Sequence, residues 1–317
     1  PIPFTGLKFV DRNARLSWTA GLGATAHYVY FGTSYNYVNN AGGARSQTST
    51  TYNPGFLAED RAYFWRVDEF DGTSLYKGDV WAFRTKPKLS ITDPNLIGFW
   101  KFDEGFGGTT LDWSGYGNHA TLGGAPQWTE GVSNSALDLG GSDYVVIDGV
   151  VNDITTTNIT INVWIKTTQT SEGNIFACND SASDHPFMFG IDGGILYVNE
   201  TTDVGSFPPA VNDGQWHMVT YVRSGSIGYV YVDAVRVGTY DAGFSLNTVT
   251  RWSIGQEWDN TTPSDFYAGA VDDVRFYNAA LTQAEIAELT KGDPLIASSP
   301  APRNNAIVDV EEAQQPL

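Results

Sequence analysis

Apolar and polar residues alternate along short segments of this chain, which is the pattern of half-buried β-strands. In the first 88 residues these segments recur at regular spacing, with turns rich in Thr, Ser, Asn and Gly between them. The predicted strands cover residues 14–20, 26–32, 62–69 and 79–84. This spacing predicts an all-β fold for the first part of the chain.

Two strand patterns near the end of this region carry a family resemblance. Leu57-x5-Tyr63-x-Trp65-x-Val67, followed by residues 78–83 (Gly-Asp-Val-Trp-Ala-Phe), resembles the last two strands of a fibronectin type III domain. In that family the hydroxyl of the corner tyrosine returns to the backbone. The resemblance gives this role to Tyr63 and makes Trp18 a core residue. It implies a small fibronectin- or immunoglobulin-like sandwich over residues 1–88.

A second series of strand patterns runs from residue 96 to about residue 290, after a predicted linker at residues 89–95. In order and spacing it resembles a laminin-G-like domain of the concanavalin A-type jelly-roll superfamily. The resemblance implies a larger β-sandwich, but this fold hosts many activities and does not imply one of them. The segments that carry it are residues 96–105, 112–121, 136–147, 159–166, 214–221, 229–238 and 269–281.

One short helix is predicted near the end of the second series. Thr282-x-x-Glu285 has the form of a capping box, and the apolar Ile286 and Leu289 follow it. The fold class is therefore all-β, with two sandwiches and one short helix.

Residues 291–317 form a predicted tail beyond the second sandwich. Its pattern, Pro-Ala-Pro at 300–302 and then Ile307-Val308-Asp-Val310, echoes Pro-Ile-Pro at 1–3 and Phe-Val-Asp at 9–11. Three interpretations stay open: the start of a next repeat, a strand donated to another chain, or a segment that folds back on its own domain. In the second case Ile307, Val308 and Val310 form the assembly strand.

Charge and composition limit the partners. The formal net charge is −18 and the pI is near 4.4, so the surface repels nucleic acid and anionic lipid. No apolar stretch is long enough for membrane insertion. The single Cys178 excludes an intrachain disulfide framework. The chain starts at Pro1 without a signal peptide, and we expect a processed or excised piece of an exported bacterial precursor, located outside the cell or at its surface.

The sequence offers little for catalysis. Glycosidases place paired carboxylates on one side of a cleft, but the larger region has no alternating Glu-x-Asp-x-x-Glu run. Residues 68–71 (Asp-Glu-Phe-Asp) stand beside Gly72 and are better explained as a turn. No Gly-x-Ser-x-Gly elbow or phosphate-binding loop is present. We therefore expect no enzyme activity.

The sequence supports a calcium-binding site better than it supports a catalytic site. Strict alternation over residues 271–277 places Asp272 on one face with Val274 and Phe276, where a lone carboxylate is unfavourable unless it is paired or binds a cation. The loop Asp112-x-Ser-Gly-x-Gly-Asn118 supplies oxygens and the glycines that its turns need.

Laminin-G-like jelly rolls commonly hold calcium between an early loop and a late-strand Asp. The resemblance therefore implies Asp272 and Asp112 as the leading Ca²⁺ ligands, with Asn118 in support and Asp103 and Asp143 in reserve. The alternative is that Asp272 pairs with an Arg or with backbone amides, while Asp112 caps a turn.

Three aromatic residues are candidates for stacking on a sugar. Trp258, Trp113 and Phe207 stand in polar or proline-containing stretches that look like loops. The other tryptophans considered, Trp100, Trp164 and Trp216, lie inside strand patterns and are predicted to be core residues.

Two functions remain open. The first is a non-catalytic extracellular structural or adhesive protein, a subunit of a surface assembly or filament whose partners are copies of itself joined through the tail strand. The second is a carbohydrate-binding accessory region of a secreted polysaccharide-degrading enzyme, whose partner is an extracellular glycan.

Overall fold

The computed structural model describes residues 1–180, 186–200, 203–243, 246–259 and 262–292. The chain divides into two compact units: the smaller ends at Lys88 and the larger begins at Leu89. Residues 89–95, predicted as a linker, therefore group with the larger unit. The tail residues Ile307, Val308 and Val310 lie outside the described residues.

The smaller unit is a sheet of six strands faced by a pair of short strands. The order in the sheet is β1-β8-β6-β3-β4, with β7 paired to β6, and β2 pairs with β5. Only β1 and β8 are parallel among these pairs. A helix that the sequence did not predict, α1, lies between β3 and β4. The elements are β1 (Leu7–Val10), β2 (Leu16–Ser17), β3 (Ala26–Gly32), α1 (Tyr35–Asn40), β4 (Ser46–Gln47), β5 (Thr51–Tyr52), β6 (Ala62–Phe70), β7 (Leu75–Tyr76) and β8 (Val80–Thr85).

Aromatic residues fill the core of the smaller unit. Trp18, Trp65 and Phe83 are buried there together. The hydroxyl of Tyr63 accepts a hydrogen bond from the backbone N–H of Ala58 at 2.8 Å. The tyrosine thus holds the segment before β6 in the way that the resemblance implied.

The larger unit contains the remaining strands and a second short helix. Its elements are β9 (Leu96–Trp100), β10 (Thr109–Thr110), β11 (Ala120–Gly123), β12 (Gln127–Glu130), β13 (Ser135–Gly140), β14 (Tyr144–Val146), β15 (Ile159–Lys166), β16 (Gly173–Asp180), β17 (Phe187–Asp192), β18 (Ile195–Glu200), β19 (Asp203–Ala210), β20 (Trp216–Ser224), β21 (Ile227–Val232), β22 (Val235–Asp241), β23 (Val249–Ile254), β24 (Glu257–Asp259), β25 (Thr262–Ser264), β26 (Ala268–Tyr277) and α2 (Gln283–Leu289), with 3-10 turns at Asp148–Asp153 and Leu246–Thr248.

Two eight-stranded sheets pack face to face in the larger unit. One has the order β10-β11-β14-β23-β16-β17-β18-β19, and the other has the order β12-β13-β26-β15-β20-β21-β22 with β9 paired to β26. Their inner faces meet in one apolar core. At its centre the ring of Trp252 lies 5.0 Å from that of Phe276 and 5.8 Å from that of Phe176. The predicted all-β fold with a large sandwich is confirmed.

The predicted helix is also confirmed, as α2. The Thr282 side chain accepts from the backbone N–H of Glu285, and the Glu285 carboxylate accepts from the backbone N–H of Thr282. These two bonds satisfy the free N–H groups at the start of the helix. Ile286 is fully buried against a second apolar cluster, which includes Met218 and contacts Trp164.

A bulge in β26 changes the predicted face of Asp272. The register with β15 shifts between Asp272 and Arg275, and Asp273 has a φ of 48°. Val271, Val274 and Phe276 all belong to the main core, so strict alternation fails at this point. The prediction that Asp272 shares a face with Val274 and Phe276 is wrong, because the extra residue was not visible in the sequence.

The tyrosine corner gives the first testable prediction. Tyr63→Phe removes one part-buried hydrogen bond and leaves the N–H of Ala58 without this acceptor, so we expect the smaller unit to lose about 1 kcal/mol of unfolding free energy. Urea unfolding with hydrogen exchange resolved over residues 58–70 measures this loss. Tyr76→Phe is the matched control, because that hydroxyl bonds Asp71 at an exposed site. Equal effects of the two variants would contradict the assigned role of Tyr63.

Candidate functional site

Asp272 lies in a fully buried position against the turn between β12 and β13. Its Oδ2 accepts from the backbone N–H groups of Val132 at 2.8 Å and Ser133 at 3.3 Å, and its Oδ1 accepts from the N–H of Asp273 at 2.8 Å. A Cβ on Gly131 would lie 2.5 Å from Asp272 Oδ2. The turn can therefore approach the carboxylate only because this residue is glycine.

Asp103, which follows strand β9, contacts the same turn. Its Oδ1 accepts from the N–H of Ser135 and its Oδ2 from the side-chain amide of Asn134, both at 3.2 Å. A third carboxylate, Asp273, pairs with Arg275 at 3.4 Å. The turn thus brings Asp103 and Asp272 into one acidic cluster.

Burial and mutual repulsion shift the titration of this cluster. Burial raises the pKa of Asp272 to about 8, with the charge of Asp273 and then that of Asp103 adding to the effect. Burial also raises the pKa of Asp103 to about 6, against the N–H of Ser135 and the amide of Asn134, which favour the ionised form. The two carboxylates supply negative charge and oxygen ligands, which are what a hard cation such as Ca²⁺ prefers.

The other predicted calcium ligands lie elsewhere. The Asp112 carboxylate accepts from the N–H groups of Phe99, Ser114 and Asn118 and from the Ser114 hydroxyl. It therefore caps its own loop, as the alternative interpretation had it.

Neither Asn118 nor Asp143 joins the cluster. The Asn118 side chain donates to the carbonyl of Ile97 and to Asp153, and Asp143 accepts from N–H groups of two nearby turns. Over the described ranges, no group of three or more His, Cys, Asp or Glu side chains is placed to hold a metal ion. Of the five predicted ligands, the structure brings only Asp103 and Asp272 to the same turn, and calcium binding stays a prediction.

The aromatic candidates also differ from their predicted exposure. Phe207 is 5% exposed and belongs to the main core, because residues 207–209 lie in strand β19 and not in a loop. Trp258 is 4% exposed. Trp113 is half-buried, with the Nζ of Lys101 4.8 Å from its ring centroid. Of the three, only Trp113 offers part of its ring to solvent in this conformation.

Trp258 is covered by a side chain that the sequence did not single out. The guanidinium of Arg251 lies 3.5 Å from the centroid of the Trp258 ring, and Tyr144 meets the ring edge-on at 5.6 Å. Gln256 is fully buried two positions before Trp258. Its Nε2 and Oε1, like Nε1 of Trp258, have no hydrogen-bond partner within the part of the chain that the structure describes. Gln256 lies just before β24, and no sequence pattern distinguishes it from the other polar residues of this segment.

One family comparison concerns the larger unit. Residues 139–287 match the Laminin_G_3 model, described as the concanavalin A-like lectin/glucanases superfamily. With its two packed sheets, the larger unit has the concanavalin A-like jelly-roll fold. The fibronectin type III resemblance of residues 1–88 is not confirmed and stays a resemblance.

Solved structures resemble the jelly roll at low identity. The receptor-binding domain of botulinum neurotoxin mosaic serotype C/D has 15% identity and a TM-score of 0.50, over 64% of this chain and 52% of that one. Domain 4 of AbnA, a GH43 extracellular arabinanase from Geobacillus stearothermophilus in complex with arabinotriose, has 18% identity and a TM-score of 0.49, over 61% of this chain and 97% of that one. Botulinum neurotoxin type C, whose cell entry depends on two ganglioside molecules, has 16% identity and a TM-score of 0.48, over 62% and 51%.

These likenesses concern the fold alone. The match spans about half the length of each neurotoxin structure. Within the described residues, no helix is long and apolar enough to cross a membrane.

The acidic pair predicts how the stability of the larger unit depends on pH. The folded pKa values of Asp103 and Asp272 lie above the ordinary value of 3.8. The folded state therefore binds more protons than the unfolded state above pH 4, and its stability falls as pH rises. In a chelator, we expect the unfolding free energy to decrease progressively up to about pH 8. Thermal melts from pH 4 to 9 measure this.

The same thermal melts are repeated in excess calcium chloride and compared with those in chelator. Calcium bound to the pair would replace the protons, so the melting temperature at pH 8 should rise on adding calcium. A melting temperature that is constant from pH 5 to 8 in chelator would contradict the burial of two ionisable carboxylates. Asp138→Asn, at an exposed position of β13, is the control variant. It should keep the pH dependence and the calcium response of the wild type.

Proposed function

We propose that this chain is an extracellular, non-catalytic protein whose larger unit binds a neutral glycan. The matching family is described by both lectins and glucanases. One observation favours binding over hydrolysis: the buried carboxylates of Glu200, Glu104 and Asp272 are already engaged by donors of the protein itself.

Glu200 is the clearest case. It is buried between the sheets, where it accepts from the hydroxyls of Tyr221 and Tyr240 and from the N–H of Gly243. Glu104 is held in a similar way by the N–H of Leu111 and the hydroxyl of Thr110. A glycosidase needs two carboxyl groups that flank the scissile bond in an open cleft. Glu200 and Glu104 are instead buried and bonded within the protein.

The Asp103 and Asp272 pair has the raised pKa values expected of catalytic acids, but its geometry argues against that role. Asp272 is fully buried and accepts three backbone N–H groups. It cannot reach a glycosidic oxygen without losing these bonds. The pair supports a structural role better, and we propose that calcium binds there and fixes the turn at residues 131–135.

The net charge narrows the glycan class. At −18 the chain repels sulfated or uronate-rich polysaccharides. Neutral sugars are bound through hydroxyl hydrogen bonds and stacking on aromatic rings, which the charge does not oppose. The same chemistry serves an accessory region that holds a polysaccharide-degrading enzyme on its substrate.

Glycan binding without turnover is the direct test. On a glycan array we expect neutral oligosaccharides to bind and polyanionic ones not to bind. Prolonged incubation of the bound glycans should release no reducing ends. Binding that is confined to sulfated glycans, or hydrolysis that Asp272→Asn abolishes, would contradict the proposal.

Self-assembly through the tail is a second candidate. The segment that the tail echoes pairs at two edges of the smaller unit: Ile2 bridges Ser17, and β1 pairs with β8. A segment of the same pattern could therefore pair with a copy of this unit. This supports the structural or adhesive role, with Ile307, Val308 and Val310 as the pairing residues.

Removal of residues 300–317 tests this candidate. We expect both units to keep their melting transitions, while any concentration-dependent fibres seen by negative-stain electron microscopy disappear. Fibres that persist after the truncation would show that the tail is not the joint, and dispersed particles in both samples would leave glycan binding as the function.

A further inference from the structure

We propose that Trp258, Gln256 and Tyr144 form the glycan site of the larger unit, and that Arg251 covers it in the free protein. The ligand class is a neutral sugar ring with free hydroxyl groups. This inference rests on the proposed function and adds to it the location and the contacts of the site.

Buried polar atoms without partners point to a ligand. Gln256 is fully buried, yet among the described residues neither Nε2 nor Oε1 has a hydrogen-bond partner, and Nε1 of the 4%-exposed Trp258 has none there either. Buried polar atoms are almost always hydrogen-bonded, because desolvating them without a partner is unfavourable. An amide that can both donate and accept, beside an indole N–H donor, matches the hydroxyl groups of a sugar.

The aromatic part of the site is assembled around one ring. Gln256 directly precedes β24, and Trp258 is the middle residue of that strand. Tyr144 meets the Trp258 ring edge-on at 5.6 Å, and Phe266 lies 6.3 Å from Tyr144. A sugar that stacked on Trp258 would have aromatic neighbours at its edge, and the Gln256 amide belongs to the residue two positions before this ring.

Arg251 is suited to act as a movable cover. Its guanidinium lies 3.5 Å from the Trp258 ring centroid, and its side chain keeps 30% exposure. Asp148 is close to the same side chain, with 3.8 Å between Arg251 Nε and Asp148 Oδ2. A short rotation toward Asp148 would exchange the cation–π contact for a closer ion pair and uncover the ring.

The hairpin that carries the site forms a two-stranded sheet of its own, β24 with β25, and is bonded to the main sheet beside it. The Asn179 side chain donates to the carbonyl of Trp258 at 3.2 Å, and the Ser253 hydroxyl donates to the carbonyl of Gln256 at 2.9 Å. The N–H of Gly255 donates to the carbonyl of Ile175 at 2.9 Å. These bonds hold the backbone of the site, so ligand entry requires movement of covering side chains such as Arg251 and not of the main core.

Gln256→Met tests the site, because methionine keeps the length of the side chain and removes its donors and acceptor. We expect the affinity for the tightest-binding neutral oligosaccharide of the array to fall about tenfold or more, as two hydrogen bonds are lost. The melting temperature of the free protein should not fall, because the amide has no partner to lose.

Gln169→Met is the matched control. That amide accepts from the N–H of Ala268 at 2.7 Å and donates to the carbonyl of Phe266 at 3.1 Å. We expect it to lower the melting temperature and to leave glycan affinity within twofold of the wild type. The indole N–H resonance of Trp258, assigned with Trp258→Phe, should shift when the oligosaccharide is added to the wild type.

The possible outcomes distinguish failure of this site from failure of glycan binding as a function. Wild-type affinity in Gln256→Met, or an unmoved Trp258 resonance on saturation, overturns this site and leaves glycan binding standing. A melting temperature that falls as far in Gln256→Met as in Gln169→Met assigns the amide a structural role and also overturns it. A wild-type chain that binds no neutral glycan overturns the proposed function itself.

Discussion

The contact between the two sheets of the larger unit is the interaction on which the rest of that unit depends. Its centre is aromatic: Trp252, Phe276 and Phe176 lie within 6.0 Å of one another, each from a different strand. Removing so much apolar surface from water is the main stabilising contribution in a sandwich of this kind. The inner faces are committed to this contact, so ligand chemistry is left to the outer faces, the strand ends and the turns.

The polar groups that do enter the interior show how strongly this constraint acts. Glu200 is tolerated between the sheets because two tyrosine hydroxyls and one N–H satisfy it. Asp272 is tolerated because the turn after β12 supplies N–H groups. Gln256 differs from both, since its amide is buried without a hydrogen-bond partner among the residues described. That contrast, within one unit, is why we assign Gln256 to ligand binding and the carboxylates to structure.

Sequence patterns predicted the architecture better than the site. Strand alternation, the ordered motifs of the jelly roll and the capping box at Thr282 are local signals, and each depends on residues close together in the chain. The face of Asp272 could not be predicted, because the bulge at Asp273 adds one residue and inverts the alternation. The exposure of Trp258 depends on Arg251, which a separate strand supplies, and the segment around Phe207 became a strand despite its two prolines.

The central claim is that a neutral sugar binds to the larger unit on the face of Trp258. A crystal structure of the protein soaked with its neutral oligosaccharide tests this most directly. The account predicts a sugar ring parallel to the Trp258 ring, a hydroxyl within about 3 Å of the Gln256 amide, and the Arg251 guanidinium turned to Asp148. A sugar bound at another surface, with Arg251 still over Trp258, would contradict it.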